Sequence, residues 1–424
     1  MWREATTYHA GLHPYLRALL WQMAAFVVAA ARALFGRASL LICLAFILGW
    51  LSSLSSAAFA QSPSAYPEST EATGVTVAAA ATPTSAPSPA TSASPAGSEI
   101  AGVEPVPVLS AGMGFITPIV NGSPHLAPLI SPVLIIPIGD HWLFESRTTF
   151  ESDLVQPPGS SNFRGSVEKE VDYAQLDYIA NPYVTITVGR YLTPFGIFNE
   201  RLYPIWIRNL QSDPLILPIA TGPSNAGTGG MVRGAFPLDS KVSLNYAAYF
   251  STLSTVSPID SSRFAGGRVG VFLPGPRLEV GGSFQHLLQD ERSNSFGFHF
   301  TWQPPPVPVD IRAEYARSAR GSGYWIESAY RLSQIASRQA LLRRTQLVGR
   351  AQQFFVGELP SNVLPPVNTR EAEFGVNYYF RDDLRGVSSF GRQYTPLGDV
   401  NTWTIGITYR FVLGLGREPA EGGN

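Results

Sequence analysis

The sequence predicts an all-β fold: a transmembrane antiparallel β-barrel of about sixteen strands, preceded by a signal peptide and a disordered linker. Three observations support this prediction. Segments of about ten residues with period-two alternation recur from Val133 onward, and their apolar faces carry large aromatic side chains. Only 14% of the 424 residues are charged, whereas soluble domains carry about 25%. The low charge content indicates that part of the surface faces something other than water.

Residues 1–60 have the composition of a signal peptide. Arg32 and Arg37 precede the apolar run Ala38–Leu51, and Ala58-Phe59-Ala60 then offers a cleavage site. The alternative is an uncleaved anchor, but a run of about fourteen residues is shorter than the eighteen or more that a spanning helix needs. We therefore expect cleavage after Ala60.

This leader is longer than an ordinary signal peptide. A start at Met23 leaves an ordinary short basic region, so residues 1–22 are predicted to be a mis-assigned beginning. The single cysteine, Cys43, lies in mid-run within the leader, which predicts a mature chain with neither a disulfide framework nor a lipid anchor. The sequence after residue 60 has no other apolar run near eighteen residues, so insertion into a membrane would use strands.

Two segments of unusual composition separate the leader from the predicted barrel. Residues 61–103 are rich in Ala, Ser, Thr and Pro and predict a disordered linker, with a tether to the cell wall as the alternative. In residues 104–132 prolines recur among apolar residues, which predicts extended, irregular chain or a plug rather than central strands. The barrel is then expected to span residues 133–412, followed by a tail at 413–424.

The clearest predicted hairpin runs from Ser293 to Tyr315. In its first strand four aromatic residues alternate with small or polar ones: Phe296, Phe298, Phe300 and Trp302 against Ser295, Gly297, His299 and Thr301. A soluble β-sandwich, the alternative, would pack its apolar faces into a core and carry mixed charges outside. Large aromatics on one face and Ser, Gly, Thr or ionised residues on the other favour lipid outside and a wet lumen inside.

The last strand also fits a membrane barrel. Apolar and aromatic residues alternate from Trp403 to Phe411, and a tight turn is predicted at Arg381–Asp383. A closing strand of this kind resembles the C-terminal signature of bacterial outer-membrane barrels, which implies the barrel-insertion machinery as a partner. The chain continues past Phe411, unlike that signature.

One stretch, Tyr183–Arg208, combines a strand with an abrupt break. Period-two alternation from Val184 to Val188 predicts a strand after a turn at Asn181-Pro182, and Pro194 and Gly196 end it. We expect the chain to leave the barrel wall there and to narrow the lumen or cap a rim.

Charged residues on polar strand faces are the main candidates for a site, because charges facing lipid would cost a few kcal/mol at mid-depth. They either form lumenal ion pairs that hold the wall or form charged rings that select ions. Two arginine clusters, around Arg190–Arg208 and around Arg331–Arg350, could bind anionic solutes or instead pair with acids or lipopolysaccharide phosphates. The candidates for lining or narrowing the pore are Glu145, Arg147, Arg190, Tyr191, Pro194, Phe195, Gly196, Arg201, Arg208, Asp310, Arg312, Glu314, Arg343 and Arg344.

Other functional classes receive little support. The formal net charge is -1, so no nucleic-acid partner is expected. No hydrolase or phosphate-loop motif occurs, and no catalytic residue, cofactor or metal is predicted. The weak alternative of a wall-borne serine hydrolase would use His286 near Ser283 or His299 near Ser295, but these pairs are better explained as strand residues.

The sequence VGRYLTPFG at Val188–Gly196 resembles the signature of the phosphate-selective (O and P type) porin family. The matching positions are Gly189, Tyr191, Pro194, Phe195 and Gly196. The resemblance implies an outer-membrane channel for passive diffusion of small hydrophilic solutes, anionic ones included, in contact with lipid and lipopolysaccharide and assembled as a homotrimer. Arg190 and Leu192 replace the family's usual glutamine and lysine, and the chain has only two lysines, so phosphate selectivity is not expected. The alternative function is a closed barrel that acts as an envelope scaffold or adhesion anchor.

Overall fold

Sixteen antiparallel strands form a closed barrel. The computed structural model describes residues 106–156, 162–221, 225–289, 292–305, 307–333, 339–359 and 361–415. Each strand pairs with its neighbours in the chain, and β1 pairs with β16 to close the sheet. The predicted fold class is confirmed, whereas the predicted signal peptide and linker lie outside the described residues.

The strands vary from nine to eighteen residues. They are β1 (Val108–Val120), β2 (Ser123–Ile138), β3 (Trp142–Val155), β4 (Arg164–Asn181), β5 (Val184–Leu192), β6 (Ala226–Asp239), β7 (Val242–Thr252), β8 (Phe264–Leu273), β9 (Leu278–Leu287), β10 (Asn294–Trp302), β11 (Val309–Ser318), β12 (Gly321–Arg331), β13 (Thr345–Val356), β14 (Thr369–Arg381), β15 (Leu384–Tyr394) and β16 (Val400–Gly414). A π-helical turn (Phe198–Leu202) and helix α1 (Pro218–Thr221) lie between β5 and β6, and helix α2 (Ala340–Arg343) precedes β13. No helix in the described ranges is long and apolar enough to cross a membrane.

The proline-rich segment at 104–132 is not irregular, and this prediction was wrong for its described part. It supplies β1 and most of β2, so the barrel begins at Val108 rather than at residue 133. Pro124, Pro128 and Pro132 are spaced by four, so the positions that lack an N–H all face the same neighbouring strand. Pairing of β2 with β3 omits residues 127–128 and 131–132, while pairing with β1 is continuous from residue 127 to residue 135. The strand therefore loses hydrogen bonds along one edge only.

The strand faces separate apolar from polar residues as the alternation predicts. On β10, Phe296 and Phe298 are exposed on the outer surface, whereas Ser295 and His299 are buried inside. The same separation continues on β11, where Tyr315 is exposed and Glu314 is buried. The barrel thus presents an apolar outer surface and a polar lumen, the arrangement of a transmembrane barrel.

The connections differ between the two ends of the barrel. At one end, here called the short-turn end, several strands are joined by two residues, as at 182–183, 240–241 and 382–383. This end also carries the first residue of β1 and the last residue of β16. At the opposite, long-loop end the connections include residues 253–263 and 357–368. The turns predicted at Asn181-Pro182 and Arg381–Asp383 are confirmed.

The largest departure from the wall follows β5. The chain leaves the sheet after Leu192 and rejoins it at Ala226, and most described residues between these points are buried inside the barrel. We call residues 193–221 the inserted segment. The predicted departure from the wall at Pro194–Gly196 is confirmed by the end of β5.

The outward position of Phe298 can be tested in phospholipid vesicles. Phe298→Arg places a charge at the middle of β10 on the lipid-facing surface, so we expect the free energy of unfolding to fall by about 2–4 kcal/mol. Phe298→Leu, which keeps the site apolar, is the control and should cost less. Denaturant unfolding followed by tryptophan fluorescence measures both changes, and equal losses would place Phe298 away from lipid.

Candidate functional site in the barrel lumen

Near its beginning the inserted segment makes a turn at Gly196 that strongly favours glycine. Its φ is +65°, in the left-handed region, and a Cβ at this position would collide with the carboxylate of Glu314. That carboxylate accepts hydrogen bonds from the backbone N–H groups of Ile197 and Phe198, both at 3.3 Å. The turn therefore brings three successive residues against one buried acid on β11.

Two further bonds fix the same turn to nearby strands of the wall. The backbone N–H of Gly196 donates to Ser283 Oγ on β9 at 3.0 Å, and its carbonyl accepts from Arg268 Nη1 on β8 at 3.1 Å. Both partners are buried lumenal side chains. Gly196 is thus held between β8 and β9 on one side and β11 on the other.

The π-helical turn that follows carries a pair of opposite charges into a buried ion network. Arg201 Nη1 lies 2.7 Å from Glu279 Oε2, and Glu200 Oε2 lies 2.6 Å from Arg268 Nη1. Arg233, which pairs with Asp177 at 2.7 Å, lies 3.7 Å from the other oxygen of Glu200. Burial by itself raises the pKa of Glu200, but the guanidinium groups of Arg268, Arg201 and Arg233 outweigh it and lower that pKa. Glu200 is therefore ionised at neutral pH and binds the segment to the wall by charge.

Apolar side chains pack the middle of the lumen. Phe195, Ile197 and Phe198 of the inserted segment are buried against Trp325 of β12 and Phe354 of β13. The Phe198 and Trp325 rings meet edge to face with centroids 6.0 Å apart. The segment thus has its own small hydrophobic core inside a polar barrel.

Hydrogen bonds between the wall and the inserted segment also hold its second half. Arg385 on β15 donates to the carbonyls of Ile205 at 2.8 Å and Arg208 at 2.9 Å. Asn209 Nδ2 donates to Glu327 on β12 at 2.8 Å. Ser212 contacts both members of the Arg350–Glu373 ion pair, whose atoms are 2.8 Å apart. Wall residues on strands between β8 and β15 therefore hold the segment inside the lumen.

A large cavity remains between the inserted segment and the short-turn end. Its volume is about 1360 Å³, and Pro204, Ile205, Trp206 and Ile207 form part of its lining. We call this cavity the vestibule. Its rim includes the turns at 303–305 and 381–382 and the region around α2.

Basic residues predominate around the vestibule. Of the described residues that line it, nine are arginines and three are carboxylates. The arginines are Arg147, Arg277, Arg312, Arg331, Arg343, Arg344, Arg381, Arg385 and Arg410, and the acids are Glu145, Asp310 and Asp382. An excess of one charge in a recess with low-dielectric walls raises the local potential, so the arginines make the vestibule electropositive.

The structure places the sequence candidates in three groups. Six line the vestibule: Glu145, Arg147, Asp310, Arg312, Arg343 and Arg344. Six belong to the inserted segment or hold it: Pro194, Phe195, Gly196, Arg201, Arg208 and Glu314. The remaining two lie in packed positions: Arg190 donates to the carbonyls of Val171 and Asp260, and Tyr191 is buried among Met231, Tyr249 and Phe264.

Among the charged candidates, several form the ion pairs expected of a stabilised wall, whereas a role in ion selection stays a prediction. Arg147 pairs with Asp172 at 3.1 Å, Arg208 with Asp213 at 2.7 Å and Arg312 with Asp310 at 2.5 Å. Arg343 and Arg344 are exposed at the vestibule and form no ion pair with the described carboxylates. The lumen therefore contains both arginines that form ion pairs and arginines that have no carboxylate partner among the described residues.

The residue-level predictions missed several groups that hold the segment. Arg268 and Glu279 each occupy a polar position in an alternating strand, so the alternation could have placed them in the lumen. It could not have paired them, because Glu200 and Arg201 are far from both partners in the chain. Trp206 lay within the stretch singled out as a strand with a break, but nothing local marked it as part of a cavity.

Three of the serine and histidine residues that a hydrolase site would use make other contacts in the structure. Ser283 accepts the bond from Gly196, and His286 Nδ1 lies 2.7 Å from Asn294 Oδ1. His299 Nε2 lies 3.4 Å from Glu279. Within the described ranges, no group of three or more His, Cys, Asp or Glu residues is placed to hold a metal ion.

The collision between Glu314 and any side chain at position 196 gives a stability prediction. Gly139 has nearly the same φ, +60°, but no atom lies within 4 Å of the place that a Cβ would take there, so Gly139→Ala is a control for backbone strain alone. We expect Gly139→Ala to lower the free energy of unfolding by about 1 kcal/mol and Gly196→Ala by roughly 2–4 kcal/mol, because strain and overpacking combine. Chemical denaturation measures both. Trypsin cleavage after Arg201 or Arg208 should increase only in Gly196→Ala, and equal effects of the two substitutions would contradict the tight contact with Glu314.

Comparison with known proteins agrees with the architecture. No protein-family model matches the chain, and no curated protein sequence matches it. Among solved structures, OmpF of Salmonella typhi in complex with daunomycin is similar with a TM-score of 0.50 and 11% identity, over 72% of this chain and 97% of that one. OprB of Pseudomonas putida has a TM-score of 0.47 and 7% identity, over 72% of this chain and 92% of that one. An anion-selective porin from Comamonas acidovorans has a TM-score of 0.44 and 10% identity, over 73% of this chain and 100% of that one. At this level of identity the similarity to OmpF supports the barrel fold alone.

Proposed function

We propose that this protein is a porin-like channel of the bacterial outer membrane, through which small hydrophilic solutes, including anions, diffuse passively. The observation that carries the proposal is the arginine-lined vestibule of about 1360 Å³ inside a closed barrel with an apolar outer surface. Hydrophilic solutes cross the hydrocarbon core of a bilayer poorly, and a polar lumen enclosed by a lipid-facing wall provides them with an aqueous path. Passive diffusion requires no catalytic residue, and this proposal assigns none.

In this proposal the short-turn end faces the periplasm. Bacterial outer-membrane barrels have short periplasmic turns and longer extracellular loops. Three two-residue turns, at 182–183, 240–241 and 382–383, support this orientation, and the connection 332–344 is the long exception at the same end. The vestibule then opens toward the periplasm, and the inserted segment lies between it and the outside. We assign the inserted segment the role of constriction, because its bonds to the wall fix its position across the lumen.

The arginines would set the preference for anions. Guanidinium groups bind carboxylate and phosphate through paired hydrogen bonds and remain charged at physiological pH. Arg343 and Arg344 are suited to this role because they are exposed and have no described acidic partner. Wall arginines with acidic partners, such as Arg147, would contribute less.

We also propose that this protein is related to the phosphate-selective porin family. The residues shared with the phosphate-selective porin family, Gly189, Tyr191 and Pro194–Gly196, coincide with the end of β5 and the start of the inserted segment. They support a common way of leading the chain into the lumen rather than a common solute. By the same analogy we propose a homotrimer in contact with lipid and lipopolysaccharide, inserted by the barrel-assembly machinery.

A closed barrel that serves as a scaffold or adhesion anchor is the second candidate. It is favoured by the packing of the inserted segment against β11 and β12, where the gap bordered by Phe198, Leu202 and Trp325 measures about 10 Å³. A space of this size holds about one water molecule. If the segment packs equally well around its whole circumference, solutes do not pass.

Electrical recordings in planar bilayers separate the two candidates. Folded wild-type protein should give discrete conductance steps, because the vestibule and a path beside the inserted segment would conduct ions. Folding is verified beforehand by heat-modifiable migration on gels. Absence of steps from folded protein would reject the channel and leave the closed barrel.

Charge reversal tests the vestibule arginines. Arg343→Glu combined with Arg344→Glu should lower the ratio of anion to cation permeability by roughly twofold or more, since the local potential falls. Arg317→Glu combined with Arg370→Glu makes the same change in net charge on the outer face near the long-loop end and is the control. The reversal potential under a salt gradient measures the ratio, and identical shifts in both variants would exclude a specific role for Arg343 and Arg344.

A further inference from the structure

The vestibule has two chemically different arcs. Its basic arc comes from β12 to β16 and contains Arg331, Arg344, Arg385 and Arg410. The adjoining arc comes from β1 and β2, whose lumenal positions carry no Asp, Glu, Lys or Arg. There the lining is formed by residues such as Gly112, Ser131, Val133 and Ile135.

The arginines of the basic arc differ in how far they are already engaged. Arg385 is buried and donates to the carbonyls of Ile205 and Arg208, so its guanidinium is committed to the inserted segment. Arg410 lies over the ring of Trp206 at 4.9 Å, and Arg331 lies over the ring of Tyr379 at 4.9 Å. Neither Arg331 nor Arg410 forms an ion pair with a carboxylate of the described residues. Their N–H groups are therefore available to an anion.

The apolar part of the vestibule continues onto its floor. Ile205, Trp206 and Ile207 line the cavity, and Trp206 and Ile207 remain half-buried. Apolar side chains that face a solvent-filled recess gain free energy when a ligand covers them, at roughly 25 cal/mol per Å². A fully hydrated inorganic anion would leave this surface uncovered.

We propose that the vestibule binds amphiphilic anions: molecules that carry one carboxylate or phosphate group on an apolar body. The acidic group lies beside Arg410, which is at Trp206, and the apolar body lies against Trp206, Val133 and Ile135. Arg331, four strands away on β12, adds to the positive charge of the same cavity. As the solute class of the channel this proposal rests on the proposed function, but binding itself does not require conduction.

Equilibrium binding to the detergent-folded, full-length mature protein tests the proposal independently of any current. In titration calorimetry, 3-phenylpropionate and phenyl phosphate should bind at least about tenfold more tightly than acetate and inorganic phosphate, which lack the apolar body. Phenethylamine, which has the same body but a positive charge, should not bind measurably. Tighter binding of one of the two aromatic anions identifies the preferred acidic group. Equal affinity for 3-phenylpropionate and acetate would overturn the proposal.

Variants locate the two halves of the site. Arg331→Gln combined with Arg410→Gln should weaken binding of the preferred aromatic anion by roughly tenfold or more. Arg317→Gln combined with Arg370→Gln removes the same charge from the outer face and should leave the affinity unchanged. Trp206→Ser should remove the advantage of the aromatic anion over its small counterpart. Wild-type affinity in the Arg331 and Arg410 variant would overturn the site.

The outcomes also separate this proposal from the proposed function. Binding of aromatic anions by a barrel that gives no conductance steps supports the vestibule site and rejects the channel. Conductance steps from a protein that binds none of these anions support the channel and overturn the vestibule site.

Discussion

Closure of the sheet is the constraint on which the rest of this structure depends. A strand in an apolar surrounding must satisfy every backbone N–H and C=O group within the protein, and only a sheet without free edges does so. The pairing of β1 with β16 extends over both strands, from Val108 opposite Gly414 to Val120 opposite Thr402. The prolines of β2 are tolerated for a separate reason, because their spacing confines the missing donors to the edge that pairs with β3.

Closure creates a lumen, and the inserted segment largely determines how that lumen is used. Glu279, Glu314, Glu327 and Glu373 line the wall, and although Arg350 of the wall lies near Glu327 and Glu373, the four buried acids would lack part of their hydrogen-bond donors if they faced only apolar chain. The segment meets these acids with backbone N–H groups, with Arg201, with an asparagine amide and with a serine hydroxyl. In return the wall satisfies carbonyls that a segment outside any sheet would leave unpaired, as Arg385 does for Ile205 and Arg208. Segment and wall are therefore complementary in charge as well as in shape.

The π-helical turn and the vestibule differ in how their charges are paired. Around the π-helical turn, arginines and carboxylates are paired at ion-pair distance, and the space between them is filled. In the vestibule, toward the short-turn end, arginines such as Arg331 and Arg410 have aromatic rings rather than described carboxylates as neighbours. The positive potential of the vestibule follows from this imbalance.

The sequence by itself determined the barrel, its two faces and its approximate strand number, because the period of two and the choice of residues on each face are local properties. It also located the end of β5, since Pro194 and Gly196 are incompatible with a continuing ladder. The sequence misled where a local rule depends on the neighbours: prolines that argue against a central strand are harmless in β2 because of their spacing. Only the tertiary structure decided that Glu314 receives the Gly196 turn, that Glu200 meets Arg268 and that Trp206 borders a basic cavity. These contacts join residues that are distant in the chain, and their pairing depends on barrel closure and on the path of the inserted segment, which no local pattern encodes.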